Sequence, residues 1–70
     1  MRIKYFPDTD TLYIALADKA VAETIDFNND TLLDLDDQGN VVAMTLEHAR
    51  EKVDLADISF QQIAEPVAAD

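Results

Sequence analysis

The sequence predicts a single small α+β domain: mostly an antiparallel β-sheet of four to five strands joined by hairpins, with a short C-terminal helix packed on one face. Three observations predict it. Apolar and polar residues alternate in several short stretches, which is the period of a half-buried strand. Asn, Asp and the only glycine separate these stretches at hairpin spacing. Residues that favour helices are concentrated after position 46.

The first hairpin is predicted from the N-terminal 17 residues. Arg2 to Phe6 alternates basic and apolar side chains, as a strand does. Pro7 to Asp10 predicts a turn, because proline fixes φ and Asp side chains bond local amides. Thr11 to Ala17 predicts the second strand. Its two faces carry Leu12, Ile14 and Leu16 on one side and Tyr13, Ala15 and Ala17 on the other.

Three further strands are predicted over Ala22 to Phe27, Thr31 to Asp36 and Val41 to Leu46. The turn between the first two is Asn28-Asn29-Asp30, since Asn and Asp tolerate left-handed backbone conformations. The turn Asp37 to Asn40 contains the glycine, which adopts positive φ at the lowest cost. Together these segments predict further hairpins, and the order of the strands in the sheet stays open.

The C-terminal part predicts a helix of about two turns over Glu47 to Val53. The period of Asp54 to Ala64 fits two alternatives, a turn followed by a strand over Ile58 to Ile63, or a second helix capped by Asp57. We favour a helical turn followed by an irregular or extended segment. Residues 1–65 then form the domain, and residues 66–70 are expected to fray.

Size and composition predict a homodimer. A single core in a chain of 70 residues rarely supplies more than about 3–5 kcal/mol. The chain has no cysteine, so disulfides and thiolate zinc sites are excluded. Apolar residues on both faces of the predicted sheet add a second reason, because one short helix covers only one face. Oligomerisation is the stabilising device that remains.

Charge excludes several classes of function. The chain carries 15 acidic and 5 basic residues, a formal net charge of −10. It would therefore repel nucleic acid and anionic membranes, whereas it would attract a basic protein partner. The alternative is that the acidity only keeps a small protein soluble. With no signal peptide and no apolar stretch of about 20 residues, the expected location is the cytoplasm.

One N-terminal segment consists of Tyr5-Phe6-Pro7-Asp8-Thr9-Asp10-Thr11-Leu12-Tyr13-Ile14-Ala15-Leu16. It resembles the opening of the prokaryotic domain of unknown function family 2283. Residues 33–42, an acidic strand, a glycine turn and two valines, resemble the second half of that family, followed by Ala49. The likeness covers roughly residues 1–50. One departure is Ala43-Met44-Thr45, where the family usually has Gly-Ile-Glu, so no role of that glutamate carries over.

The resemblance implies a small β-sheet with a C-terminal helix, and no activity. Some members of the family look like the small partner in toxin–antitoxin-like gene pairs. Together with the charge, this leads us to expect a non-enzymatic protein-interaction domain, in its most specific form an antitoxin-like neutraliser of a basic toxin. The alternatives are a structural or housekeeping homodimer without such a partner, and a protein that binds divalent metal through Asp clusters.

Neither of two carboxylate patterns predicts a metal site. Residues 34–39 start like an EF-hand loop, but position twelve of that loop is Thr45 and the flanking segments are predicted strands. Asp8, Asp10, Asp26 and Asp30 all lie in or beside predicted turns, where solvated Asp is ordinary. We therefore expect no metal and no cofactor.

No catalytic residues are predicted either. His48 is the only histidine and Ser59 the only serine, and no nucleophile elbow or glycine-rich loop accompanies them. His48 is expected to be an exposed residue at the start of the helix. The candidate interface is instead the second face of strand two, which carries Tyr13, Ala15 and Ala17.

Overall fold

A computed structural model describes residues 1–64, and it confirms the small α+β domain. The predicted frayed tail, residues 66–70, lies outside the described residues. The helix of this domain is too short and too polar to span a membrane, and no other helix occurs in the described part of the chain. The elements are β1 Arg2–Phe6, β2 Thr11–Ala15, β3 Glu23–Asn28, β4 Thr31–Leu35, β5 Val41–Glu47 and α1 Ala49–Lys52.

The five strands form one antiparallel sheet in the order β1-β2-β5-β4-β3. The three predicted hairpins, β1–β2, β3–β4 and β4–β5, are confirmed. The fourth pairing joins β2 to β5, which makes β5 the central strand. Thr11 lies opposite Glu47, and Thr31 lies opposite Leu46. The turns that precede β2 and β4 therefore lie on either side of the C-terminal end of β5.

The sheet has one apolar and one mixed face, because directly opposed residues of antiparallel strands point to the same side. The first we call the apolar face: Ile3, Tyr5, Leu12, Ile14, Ile25, Thr31, Leu33, Val42, Met44 and Leu46. The second we call the polar face: Arg2, Lys4, Thr11, Tyr13, Ala15, Thr24, Asp26, Leu32, Asp34, Ala43 and Thr45.

The core is small. Among the described residues only four apolar residues are buried: Leu12, Val42, Ala43 and Ala49. No large side chain of residues 1–64 is less than 2% exposed. The layer that covers the sheet is therefore thin, as expected for so short a chain.

The second strand is shorter than predicted. It ends at Ala15, because the N–H groups of Leu16 and Ala17 both donate to the carbonyl of Val42, at 2.8 and 3.2 Å, and interrupt the ladder. The first strand has the predicted bounds, whereas β3, β4 and β5 differ from the predictions by a single residue at one or both ends.

The helix is also shorter than predicted, four residues instead of seven. Glu47 remains in β5, where its N–H donates to the carbonyl of Asp30 at 2.7 Å. Val53 ends the helix with an extended backbone, φ −137°.

Beyond α1, a turn closes with the N–H of Asp57 donating to the carbonyl of Asp54 at 3.2 Å. No regular structure follows as far as Ala64. The favoured prediction for this segment is confirmed, and the alternatives of a strand over Ile58 to Ile63 and of a second helix are wrong.

Candidate interaction surface

Two of the three residues predicted at the interface lie on the polar face. Tyr13 and Ala15 are half-buried, and the register places Lys4 and Thr45 on either side of Tyr13. Ala17 lies beyond the end of β2 and is exposed. Because polar side chains surround Tyr13, this part of the sheet is a mixed surface, not a continuous apolar patch.

Acidic residues are segregated along the chain. From Ala20 to Ala49 the sequence has seven carboxylates and neither Lys nor Arg. The structure gathers this stretch into β3, β4 and β5, the half of the sheet that ends at the edge strand β3. The opposite edge strand, β1, presents Arg2 and Lys4 on the polar face. The two edges of the sheet thus carry opposite charge.

The acidic edge also presents an exposed aromatic ring. The pairing of β3 with β4 shifts between Asp26 and Asn28, which leaves Phe27 as the extra residue of a bulge. The side chain of Phe27 is 66% exposed. On the polar face of the same strand pair, Thr24 donates from Oγ1 to Oδ1 of Asp34 at 2.7 Å. We call β3, β4 and their connecting turn, residues 23–35, the acidic hairpin.

At one end of the sheet, two turn aspartates hold the chain that leaves β5. The first is Asp10, whose Oδ1 accepts from the Tyr5 hydroxyl at 2.7 Å and from the Arg50 N–H at 3.0 Å. Its backbone carbonyl accepts from the N–H of Ala49 at 3.0 Å. The β1–β2 turn thereby fixes the start of α1.

The second is Asp30, in the β3–β4 turn. Its Oδ1 accepts from Nδ1 of His48 at 2.8 Å, and its Oδ2 lies 3.1 Å from Nζ of Lys52. Because β5 lies between β2 and β4, the two turns bind the chain that follows β5 from opposite sides. We call Asp10, Asp30 and the residues that they bind the aspartate clamp.

The backbone at the clamp is unusual. Asp10 and His48 both have a left-handed conformation, with φ of 56° and 55°. Asp and His adopt that conformation more readily than most residues. The positive φ of His48 turns the chain out of β5 so that α1 begins at Ala49, beside Asp10.

The clamp shifts the pKa values of its members. The Tyr5 hydroxyl lowers the pKa of Asp10 by hydrogen bonding, and Asp10 in turn raises the pKa of Tyr5. His48, and after it Lys52, lowers the pKa of Asp30 by hydrogen bonding. The same bond to Asp30 raises the pKa of His48. Each pair therefore favours the charged carboxylate.

Sequence reasoning treated Asp10 and Asp30 as ordinary solvated turn residues, and this was wrong. Both have side chains only about one-fifth exposed, at 20% and 23%, and both are bonded. A signal was present: each begins an Asp-Thr-Leu triplet, residues 10–12 and 30–32, at the start of a strand that flanks β5. The prediction that His48 is exposed at the helix start is confirmed.

The clamp shows no assembled catalytic machinery. Asp30 orients the imidazole of His48, as an acid–base pair requires, but hydrolysis also needs a nucleophile and oxyanion donors. Ser59 does not lie in the clamp; it lines a surface cavity together with Ile3, Ile58 and Phe60. Within residues 1–64 no three His, Cys, Asp or Glu residues are grouped to hold a metal ion.

The loop with an EF-hand-like start is a hairpin turn. The Asp36 carboxylate accepts from the N–H groups of Gln38 and Asn40 at 2.9 and 2.8 Å, which lowers its pKa. Gly39 has φ 83°. The carboxylate and glycine thus have backbone roles.

Comparison with known proteins gives one match. The model of the family described as "Protein of unknown function (DUF2283)" matches residues 2–50. That range contains all five strands and both aspartates of the clamp. Neither a curated protein nor a solved structure matches the chain.

Proposed function

This chain belongs to the family described as protein of unknown function DUF2283, and we propose that it is a non-enzymatic protein-interaction domain that binds a basic protein partner through the acidic hairpin. The clamp in this proposal has a structural role, since it fixes the end of the sheet.

The observation that carries the proposal is the charge segregation. A charge that serves solubility alone can be spread over the whole surface, with both signs interspersed. Here, by contrast, Arg2 and Lys4 lie on one edge strand, while the other edge carries Glu23 and Asp26. A surface with one sign of charge steers an oppositely charged partner and sets its orientation.

The acidic hairpin also has a feature that charge alone does not supply. Phe27 is exposed beside Asp26, on a strand whose outer edge is unpaired within the described sheet. Aromatic side chains contribute much of the binding energy at protein interfaces. An unpaired edge offers backbone N–H and C=O groups to an added strand. Aromatic anchor, open edge and carboxylates together fit an extended basic segment of a partner protein.

The most specific form of the proposal is an antitoxin-like neutraliser, in which the basic partner is a toxin. The −10 charge of the chain supports a basic partner, and the family resemblance supports that class of partner. We place the domain in the cytoplasm, because a chain without cysteine needs no oxidising compartment.

The test is recovery of the tagged chain from its native cells at low salt, followed by mass spectrometry. We expect a stoichiometric basic protein that is lost at high salt, because screening weakens exposed charge pairs. We also expect Phe27→Ala to recover at least about tenfold less of it, as for an interface anchor. Recovery of the chain alone would contradict the proposal and favour a housekeeping domain without a partner.

A further inference from the structure

Within residues 1–64, the segment that follows α1 covers only the β1–β2 half of the apolar face. A cavity of about 350 Å³ lies between the strand residues Ile3, Leu12 and Ile14 and six residues of the chain after α1: Val53, Asp54, Leu55, Asp57, Ile58 and Ser59. The chain that follows α1 thus lies over β1 and β2. Leu12, beneath it, is only 6% exposed.

The other half of this face, on β3, β4 and β5, consists of Ile25, Thr31, Leu33, Val42, Met44 and Leu46. Thr31 and Val42 are buried within it, whereas Ile25, Leu33 and Met44 form a partly exposed patch. None of the three is buried, although β4 and β5 are interior strands. Apolar residues in the middle of a sheet are buried when a second layer lies over them. Their partial exposure therefore marks a patch of this half-face over which the described part of the chain places no covering layer. We call this half the open half-face.

The segment over β1 and β2 presents apolar side chains of its own to solvent. Ile58, Phe60 and Ile63 are 60%, 79% and 71% exposed. We call residues 58–63 the apolar arm. A large apolar side chain offers on the order of 200 Å², so these three expose about 400 Å². That is as large as the principal apolar patch of a typical monomer.

We propose that the apolar arm of one chain covers the open half-face of a second copy, in a two-fold symmetric dimer. The two sheets then stack with their apolar faces inward and both arms between them. This inference goes beyond the proposed function, because it concerns the opposite face of the sheet.

The strand order selects the direction of the two-fold axis. An axis parallel to β5 places the β1–β2 half of each sheet opposite the β3–β4 half of its partner, since β5 is central. Each arm then meets an open half-face. An axis across the strands would instead stack arm upon arm and leave both half-faces open. The fold therefore fits the first arrangement.

The area fits a stable dimer. Each arm supplies about 400 Å², and the three partly exposed side chains that it covers supply about 200 Å² at most. Because a two-fold interface uses every patch twice, the total is about 1,200 Å², the lower end of the range for a standard specific interface. Both polar faces, with their acidic hairpins, remain outside and accessible to a partner.

The dimer and the complex with a basic partner should respond oppositely to salt concentration. Two chains of formal charge −10 repel each other, so screening should strengthen the dimer. Binding of a basic protein should weaken under the same conditions. The two proposals can therefore fail independently.

The test is the mass of the full chain by sedimentation equilibrium, with Phe60→Asp and the matched control Phe27→Asp. We expect a mass of twice 7.8 kDa for the wild type and for Phe27→Asp. For Phe60→Asp we expect the dissociation constant of the dimer to rise at least about 30-fold. A monomeric wild type, or a Phe60→Asp dimer as tight as the wild type, would overturn the inference.

A cross-link shows whether the apolar arm covers the sheet of a second copy or the sheet of its own chain. The chain has no cysteine, so Leu33→Cys and Phe60→Cys can be introduced together and oxidised. We expect a disulfide-linked dimer on a non-reducing gel. A cross-linked monomer would show that the arm covers its own half-face, and would overturn the inference.

Discussion

His48 donates from Nδ1 to Oδ1 of Asp30 across 2.8 Å, although 18 positions separate the two residues. The bond spans from the β3–β4 turn to the residue that follows β5. It is one half of the aspartate clamp, and it gives that clamp a spectroscopic reporter, because His48 is the only histidine of the chain.

Asp30→Asn should lower the pKa of His48. The carboxylate stabilises the imidazolium by a charged hydrogen bond, and the amide does not. A proton NMR titration of the single imidazole should therefore show a wild-type midpoint above about 6.5 and a lower one in the variant. Asp8→Asn, which removes the same charge from the β1–β2 turn, should leave the midpoint close to wild type. Equal midpoints in Asp30→Asn and wild type would show that the bond does not form in solution.

Stability should fall at both ends of the pH range. The folded pKa of His48 is raised, so its contribution is complete below about 6.5 and is lost as pH rises through the folded value. The folded pKa values of Asp10 and Asp30 are lowered, so their contributions are complete above about 3.9 and are lost as pH falls through those values.

Urea midpoints measured across the pH range check this prediction. His48→Gln should remove the decline above about pH 6.5 and keep the acid decline. A His48→Gln profile parallel to the wild type above that pH would contradict the assignment to this residue.

Leu12→Ala should lower the free energy of unfolding by about 2–5 kcal/mol, the range for a truncated core leucine. Leu12 is 6% exposed and belongs to a core of only four buried apolar residues among those described. Circular dichroism of the variant should show a largely unfolded chain. Val21→Ala, at a position that is 49% exposed, should stay within about 0.5 kcal/mol of the wild type, as measured by urea unfolding.

Gly39→Ala should lower the free energy of unfolding by about 1–2 kcal/mol. Gly39 has φ 83°, and a Cβ there would meet nothing within 4 Å. The whole cost is therefore that of a left-handed backbone with a side chain. Gly39→Asn should cost less than Gly39→Ala, because Asn tolerates this conformation better. Urea unfolding of the three proteins gives the order, and equal stability of all three would contradict the backbone argument.

Much of the fold follows from the sequence, because its signals are local. Alternation and Asx-rich turns predicted all five strands to within two residues at each end. The length of α1 did not follow, since it depends on the bond from Glu47 to Asp30, which exists only once β5 is in place. The central position of β5 depends on the non-local pairing with β2, for which no turn provides a signal.

The site was less predictable for the same reason. The half-burial and bonds of Asp10 and Asp30 arise because two turns, far apart in sequence, meet at the end of β5. The acidic balance was evident from composition, but its concentration at one edge depends on strand order. The exposure of Phe27 depends on a β-bulge that no pattern in the sequence predicts.

The location of the binding surface is the central claim, and two variants of equal charge test it most directly. One carries Glu23→Gln, Asp26→Asn and Asp34→Asn in the acidic hairpin; the other carries Asp8→Asn, Asp18→Asn and Glu51→Gln elsewhere. Each raises the formal net charge of −10 by three. Affinity purification at low salt should recover the basic partner with the second variant and lose it with the first. Equal recovery with both would show that the acidic hairpin is not the binding surface.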